Sequence, residues 1–182
     1  AHSLHVAALA LAIFDQFGPE LARAMGDHGF DAARARQILE AAAILHDVGY
    51  LINYASHHKH SYHLIVHADL PGWTNREVQV IANIARYHRC ASPKRKHATF
   101  AVLTRSDQQL VRVLAAVLRI ADGLDRTHIQ RVRSVGVQVR SGAAFFAVSA
   151  DGAPDVDLWG AARKSRLFER IFGLAAHFDW KS

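Results

Sequence analysis

His46 and Asp47 stand side by side at the end of an apolar run, Ala41-Ala42-Ala43-Ile44-Leu45, and Gly49 follows two residues later. An imidazole and a carboxylate can both ligate a metal and carry a proton. Polar groups close such a run when they are partnered, because burying them alone is costly. In a chain with 13 histidines the dipeptide by itself says little, and its context says more. His57, His58, His60, His63 and His67 follow closely, and the histidines crowd between His46 and His97. That crowding favours a metal site over scattered surface use.

Further candidates have the same chemistry. His2 and His5 sit one helical turn apart at the start of the chain. His88 ends a helical pattern, and Asp122 continues the apolar stripe of another, one turn after Leu118. The candidate constellation is therefore His2 (or His5), His46, Asp47, His57 (or His58), His88 and Asp122, on four helices and one connector. Mixed imidazole and carboxylate ligands suit first-row divalent ions such as Mn, Fe, Co, Ni or Zn. One such ion lowers the pKa of water and polarises a phosphoryl oxygen; a pair holds the attacking and leaving oxygens. Inward His and Asp from several helices are how bundle metal sites are built.

Each residue also has an ordinary alternative. His46 could be a hydrogen-bonded core histidine and Asp47 a helix-end loop contact. Asp122 could pair with Arg119 or Arg126, and His88 could be exposed. His60, His63 and His67 read as a polar helix face, and Lys94-Arg95-Lys96 as a solvated loop. The joint pattern outweighs these, because several separate inward positions carry matching chemistry.

The elements that must position them follow from periodicity. Val6, Leu9, Ala10, Ile13, Phe14 and Phe17 predict a first core helix. It starts without a capping lead-in, so a chain cut from something longer is expected. Gly18-Pro19 breaks it, and a short helix over Pro19 to Met25 follows. The spacing predicts a helix from Ala32 to Val48, stopped by Gly49, with His46 and Asp47 in its last turn. Asn53 to Ser56 reads as a connector and His58 to His67 as a helix. Asp69-Leu70-Pro71-Gly72 is a loop. Thr74-Asn75-Arg76-Glu77 has capping-box spacing and opens a helix that ends near His88. Ser106 and Asp107 are the expected caps of a long helix with Leu110, Val113, Leu114, Val117, Leu118 and Ala121 inward. After Arg131 the period shortens to two: Val135, Val137 and Val139 predict a strand, Ser141-Gly142 a turn, and Ala144 to Ser149 a second strand. A last helix is expected from Leu158 to Phe178.

The chain is therefore read as mainly α: a helical body, 1–131, with a small C-terminal α+β extension, 132–182. At 182 residues, 51% apolar and 21% charged, it is in the range of one globular domain with an appendage. No apolar run reaches membrane-span length. Cys90 is the single cysteine, so no internal disulfide forms and a reducing, cytoplasmic setting fits best. A net charge of +6 suits an anionic partner.

An early His, then His-Asp, then a late Asp after an apolar helix, resembles the HD superfamily of metal-dependent phosphohydrolases. The resemblance narrows on four stretches: Leu45 to Tyr54, Ser56 to Tyr62, Asp69-Leu70-Pro71-Gly72 and Arg86-Tyr87-His88-Arg89. These look like the C-terminal half of the exopolyphosphatase/guanosine pentaphosphatase family. Members of that family carry an actin-like N-terminal unit with the exopolyphosphatase active site, which has no counterpart here. The resemblance implies an excised C-terminal module or a stand-alone relative. Some members have lost the His-Asp pair, and this chain keeps it.

Carried over by position, His2, His46, Asp47 and Asp122 match the HD signature, with His46, Asp47 and Asp122 as the catalytic set. His57 and His88 match the extra ligands of two-metal HD proteins, and His5 is the second choice for the first ligand. The implied cofactor is a divalent metal: Mn, Mg, Fe, Co, Ni or Zn. Lys59, Arg86, Arg89, Lys94, Arg95 and Lys96 suit a phosphate chain. Two functions are implied. One is a metal-dependent phosphohydrolase acting on phosphate esters or anhydrides. The other is a non-catalytic, polyphosphate-binding and dimerising module, with a homodimer expected and no membrane partner.

Overall fold

A computed structural model describes residues 1–181. Its longest helix, α7 (Arg105–Gly123), is buried almost all round from Val111 to Gly123, as a central helix must be. Around it pack α1 (His2–Gln16), α2 (Gly18–Met25), α3 (Ala32–Leu45) and α5 (Asn75–Arg86). α4 (His57–Val66) leans on α5, and α6 (Ala98–Ala101) is a single turn. The apolar positions that predict α1 are its buried face: Val6, Leu9, Ala10, Ile13 and Phe14.

Local signals set several helix starts. Asp31 caps α3, its side chain accepting from the Arg34 amide. Thr74 and Glu77 form the expected capping box of α5. The cap of α7 differs from expectation. Thr104 accepts from the Asp107 amide, while the buried Asp107 carboxylate accepts from Nε and one terminal nitrogen of Arg76 at 2.8 and 2.7 Å. Ser106 instead donates to the His28 carbonyl.

α3 also stops earlier than its periodicity predicts. The Ser61 hydroxyl donates to the His46 carbonyl at 2.6 Å and accepts from the Gly49 amide at 3.0 Å. α4 thus takes over the carbonyl that would have continued α3, and a 3-10 turn covers Val48–Leu51. Gly49 permits the contact, because a Cβ there would lie 2.1 Å from the His57 carbonyl oxygen.

The C-terminal part is a three-stranded sheet with two helices. β1 (Val132–Arg140) pairs antiparallel with β2 (Ala143–Ala150) through Ser141-Gly142, both at positive φ as a tight hairpin requires. Gln16 on α1 ties β1 to the body, donating to the Val135 carbonyl and accepting from the Val137 amide. The single long helix expected from Leu158 to Phe178 is instead α8 (Asp155–Lys164), α9 (Arg166–Phe172) and β3 (Ala175–Lys181). Gly173, at φ +66°, ends α9, and β3 then runs parallel to β2, giving the order β1-β2-β3. Phe178 stacks on Phe146, its register partner, at 4.8 Å. The architecture is mainly α with a small α+β extension, as composition and periodicity lead one to expect.

Candidate metal centre

Where α3 ends, His46 is completely buried and Asp47 turns its carboxylate inward. Four imidazoles converge on that carboxylate. Oδ2 lies 3.4 Å from His46 Nε2 and 3.6 Å from His2 Nε2. Oδ1 lies 3.2 Å from His57 Nε2 and 3.6 Å from His88 Nε2. Asp122, from the last turn of α7, puts Oδ1 at 3.5 Å from His2 Nε2 and 3.9 Å from His46 Nε2. Two overlapping groups result, His2/His46/Asp122 and His46/Asp47/His88, each with ligand atoms within 4.8 Å of one another.

The donor set fits divalent ions. Ligand bonds of about 2.1 Å at tetrahedral or octahedral angles place neighbouring ligand atoms about 3.0–3.4 Å apart, close to these separations. They are mostly too long for hydrogen bonds. His2 Nε2 and His46 Nε2 are buried without a hydrogen-bond partner, a costly state unless something else engages them. The opposite nitrogens are all held. Nδ1 of His46 meets the Ala43 carbonyl at 2.6 Å, that of His88 the Ala85 carbonyl at 2.6 Å, and that of His57 the Tyr54 carbonyl at 3.1 Å. Nδ1 of His2 meets Oδ2 of Asp125 at 2.7 Å. With Nδ1 as donor, each ring in its neutral form presents a bare Nε2 to the centre.

Protonation follows from burial and charge. Burial holds His88 well below the usual imidazole range and lowers His57 as well. Burial also works to raise Asp47 and Asp122, but each is outweighed. Asp47 is lowered by its contact with His46, and Asp122 is lowered strongly by the Lys164 ammonium. His2 goes the other way: burial opposes its charge, yet Asp122 and Asp125 raise it to about 9.

The surrounding cleft is lined by Tyr50, Arg89, Arg126, His128 and Lys164. Tyr50 stacks on His57 at 3.9 Å and His128 on His2 at 3.7 Å. The Lys164 ammonium sits on Oδ2 of Asp122.

All six expected metal-site residues, His2, His46, Asp47, His57, His88 and Asp122, are thus brought together. His57 is the first residue of α4 rather than part of a connector. His5 lies outside the cluster, as do the exposed or half-buried His60 and His63 of α4 and the exposed His67 just after that helix. Asp122 pairs with Lys164 rather than with Arg119, which donates instead to the carbonyls of Tyr87, Cys90 and Ala91.

Among the basic residues expected to face phosphate, Arg89 lines the cleft. Lys59, Arg86, Lys94, Arg95 and Lys96 are not in its lining. Arg86 lies over the rings of Tyr62 and Tyr87, and Lys94, Arg95 and Lys96 are exposed on their loop. Sequence reasoning missed Asp125, Arg126, His128 and Lys164. For Asp125 a signal existed, since it falls one turn beyond Asp122.

A family model described as Ppx/GppA phosphatase, domain III, matches residues 1–150. The chain is similar to guanosine-5'-triphosphate,3'-diphosphate pyrophosphatases of several bacteria. It is 34% identical over 77 residues to that of Pseudoalteromonas translucida, covering 42% of this chain and 16% of the relative. With that of Pseudoalteromonas atlantica the identity is 30% over 117 residues, covering 64% and 21%. With that of Vibrio cholerae (strain O395) it is 33% over 69 residues, covering 38% and 14%. The matches span about a fifth or less of each relative's length.

Proposed function

Because the chain belongs to the Ppx/GppA phosphatase family through its domain III, we propose that it is an HD-type, metal-dependent phosphohydrolase module acting on a phosphate ester or anhydride. The observation that carries this reading is the division of the Asp47 carboxylate, with one oxygen toward His2 and His46 and the other toward His57 and His88. His2, His46, Asp122 and Oδ2 of Asp47 would hold one divalent ion, and His57, His88 and Oδ1 a second. Mn, Mg, Fe, Co, Ni and Zn are the candidates, with imidazoles favouring the transition metals. Such ions, when bound, polarise a phosphoryl oxygen and lower the pKa of water.

The chain's own residues do the rest. Nδ1 contacts to backbone carbonyls and to Asp125 fix the imidazoles, so little reorganisation is needed. Arg89 and Arg126 face the cleft and favour an anionic substrate there. Tyr50 and His128 wall it.

The relatives' printed name makes a nucleotide polyphosphate one substrate to test, beside inorganic polyphosphate. Their greater length supports a working context with further domains, and the family resemblance implies an actin-like unit among them. The division at 131/132, a homodimer and a cytoplasmic setting belong to the same proposal. A specific observation favours a second, non-catalytic role in binding polyphosphate: Lys94, Arg95 and Lys96 are exposed together outside the cleft.

The test measures phosphate release from a phosphomonoester, a nucleotide and polyphosphate, with Mn, Mg, Co or Ni added. Metal-dependent release that disappears in a folded Asp122→Asn variant supports hydrolysis. Polyphosphate binding without release from any of the three favours the second role.

A further inference from the structure

Asp122 divides its carboxylate much as Asp47 does. Oδ1 faces the histidines, while Oδ2 carries the Lys164 ammonium. Lys164 ends α8, in the C-terminal extension and beyond residue 150, where the family match stops. We propose that Lys164 is a substrate-binding residue of the metal centre, donating to a phosphoryl oxygen, so that the extension completes the site. This rests on the metal-dependent reading above.

The packing holds α8 where this requires. Gly123, directly after Asp122, touches α8 so closely that a Cβ would lie 2.5 Å from Ala161 Cα. A Cβ on Gly160 would lie 2.6 Å from the Gly123 carbonyl oxygen. The buried Asp157, in the first turn of α8, accepts from the Thr127 amide at 2.9 Å and from its hydroxyl at 3.0 Å. The first turn and the middle of α8 are thereby tied to the Gly123–Thr127 segment that directly follows Asp122.

Chemistry selects phosphate as the partner. An ammonium has three donors, and the contact with Asp122 uses one. Lys164 lines the same cleft as Arg89 and Arg126, and its side chain stays 20% exposed. Its charge also repels a cation held by Oδ1 of Asp122. A phosphate-holding Lys164 therefore opposes metal binding slightly while favouring the anion. A residue that only propped Asp122 would favour metal binding instead.

The experiment reads both signs. Metal-stripped wild type, Lys164→Met, Lys164→Gln and Lys164→Arg are titrated calorimetrically with Mn²⁺, and the Mn²⁺-loaded proteins are then titrated with inorganic phosphate. Lys164→Gln keeps a donor for Asp122 should Lys164→Met fail to fold. The neutral variants are expected to bind Mn²⁺ as tightly as wild type or a few-fold more tightly. They should bind phosphate about tenfold or more weakly, since a charge-assisted hydrogen bond is lost. Lys164→Arg should restore most of the phosphate affinity. Weaker Mn²⁺ binding in the neutral variants, or phosphate affinity equal to wild type, overturns the proposal. A wild type that binds no Mn²⁺ overturns the metal centre and this proposal together.

Discussion

Nδ1 of His2 lies 2.7 Å from Oδ2 of Asp125, a completely buried carboxylate that also accepts from the Gln130 amide at 2.8 Å. The pair joins the start of the chain to the loop after α7 and aims His2 Nε2 at Asp47 and Asp122.

If His2 is a ligand, Asp125 orients it. Asp125→Ala should then weaken metal binding by about 10–100-fold, the usual effect of losing a carboxylate behind a ligating imidazole. Calorimetric titration with Mn²⁺ reads this directly, and unchanged affinity would remove His2 from the ligand set.

Asp47 sits between both groups of histidines, so Asp47→Ala should abolish retention of metal altogether. His88→Ala should lose one equivalent of two. His63→Ala, on the exposed face of α4, should change nothing. Elemental analysis of the purified proteins decides, and equal metal content in wild type and Asp47→Ala would sink the centre as drawn.

In metal-free protein, His2 is raised from 6.5 to about 9, the carboxylates of Asp122 and Asp125 outweighing burial. A raised folded-state pKa stabilises the fold fully below the unfolded value. That contribution is lost as pH rises through about 9. Metal-stripped protein should therefore lose thermal stability between about pH 6.5 and 9, and His2→Ala should flatten that window. Melting curves across the range, with equal slopes in both proteins, would contradict the assignment.

Gly49→Ala would push a methyl onto backbone atoms of α4, 2.1 Å from the His57 carbonyl oxygen and 2.5 Å from the Ser61 amide nitrogen. Backbone cannot move aside as a side-chain tip can. A loss of about 1–3 kcal/mol or more is expected in urea unfolding. Because His57 moves with α4, weaker metal binding should accompany it.

Replacing Lys94, Arg95 and Lys96 together with Ala tests the second role. If the loop contacts a polyanion, polyphosphate binding should weaken and its salt dependence flatten, as counterion release requires for phosphate contacts. An identical salt slope would leave the loop as solvated surface.

Local signals carried much of this fold. The stripe of Val6, Leu9 and Ile13, the Thr74–Glu77 capping box and the Ser141-Gly142 turn each act within a few residues, so the chain order alone exposes them. The same holds for the inward sense of Asp122, which continues an apolar helix face. One period misled: Leu167, Ile171, Leu174 and Phe178 fit a helix, yet Gly173 breaks it and Phe178 finds its partner on β2. Pairing with a strand more than twenty residues away is invisible to a local pattern. The centre divides along the same line. Residue type and position along the predicted elements marked His46, Asp47, His88 and Asp122 as candidates, with one of His2 and His5 and one of His57 and His58; the family resemblance chose His2 and His57. Tertiary packing alone decided which oxygen of Asp47 faces which imidazole, that Asp125 backs His2, and that Lys164 rather than Arg119 or Arg126 meets Asp122. Those choices depend on where α8 and the loop after α7 come to rest. Contacts such as those of Gly123 and Gly160 set that, because close packing leaves each helix one position against its neighbour.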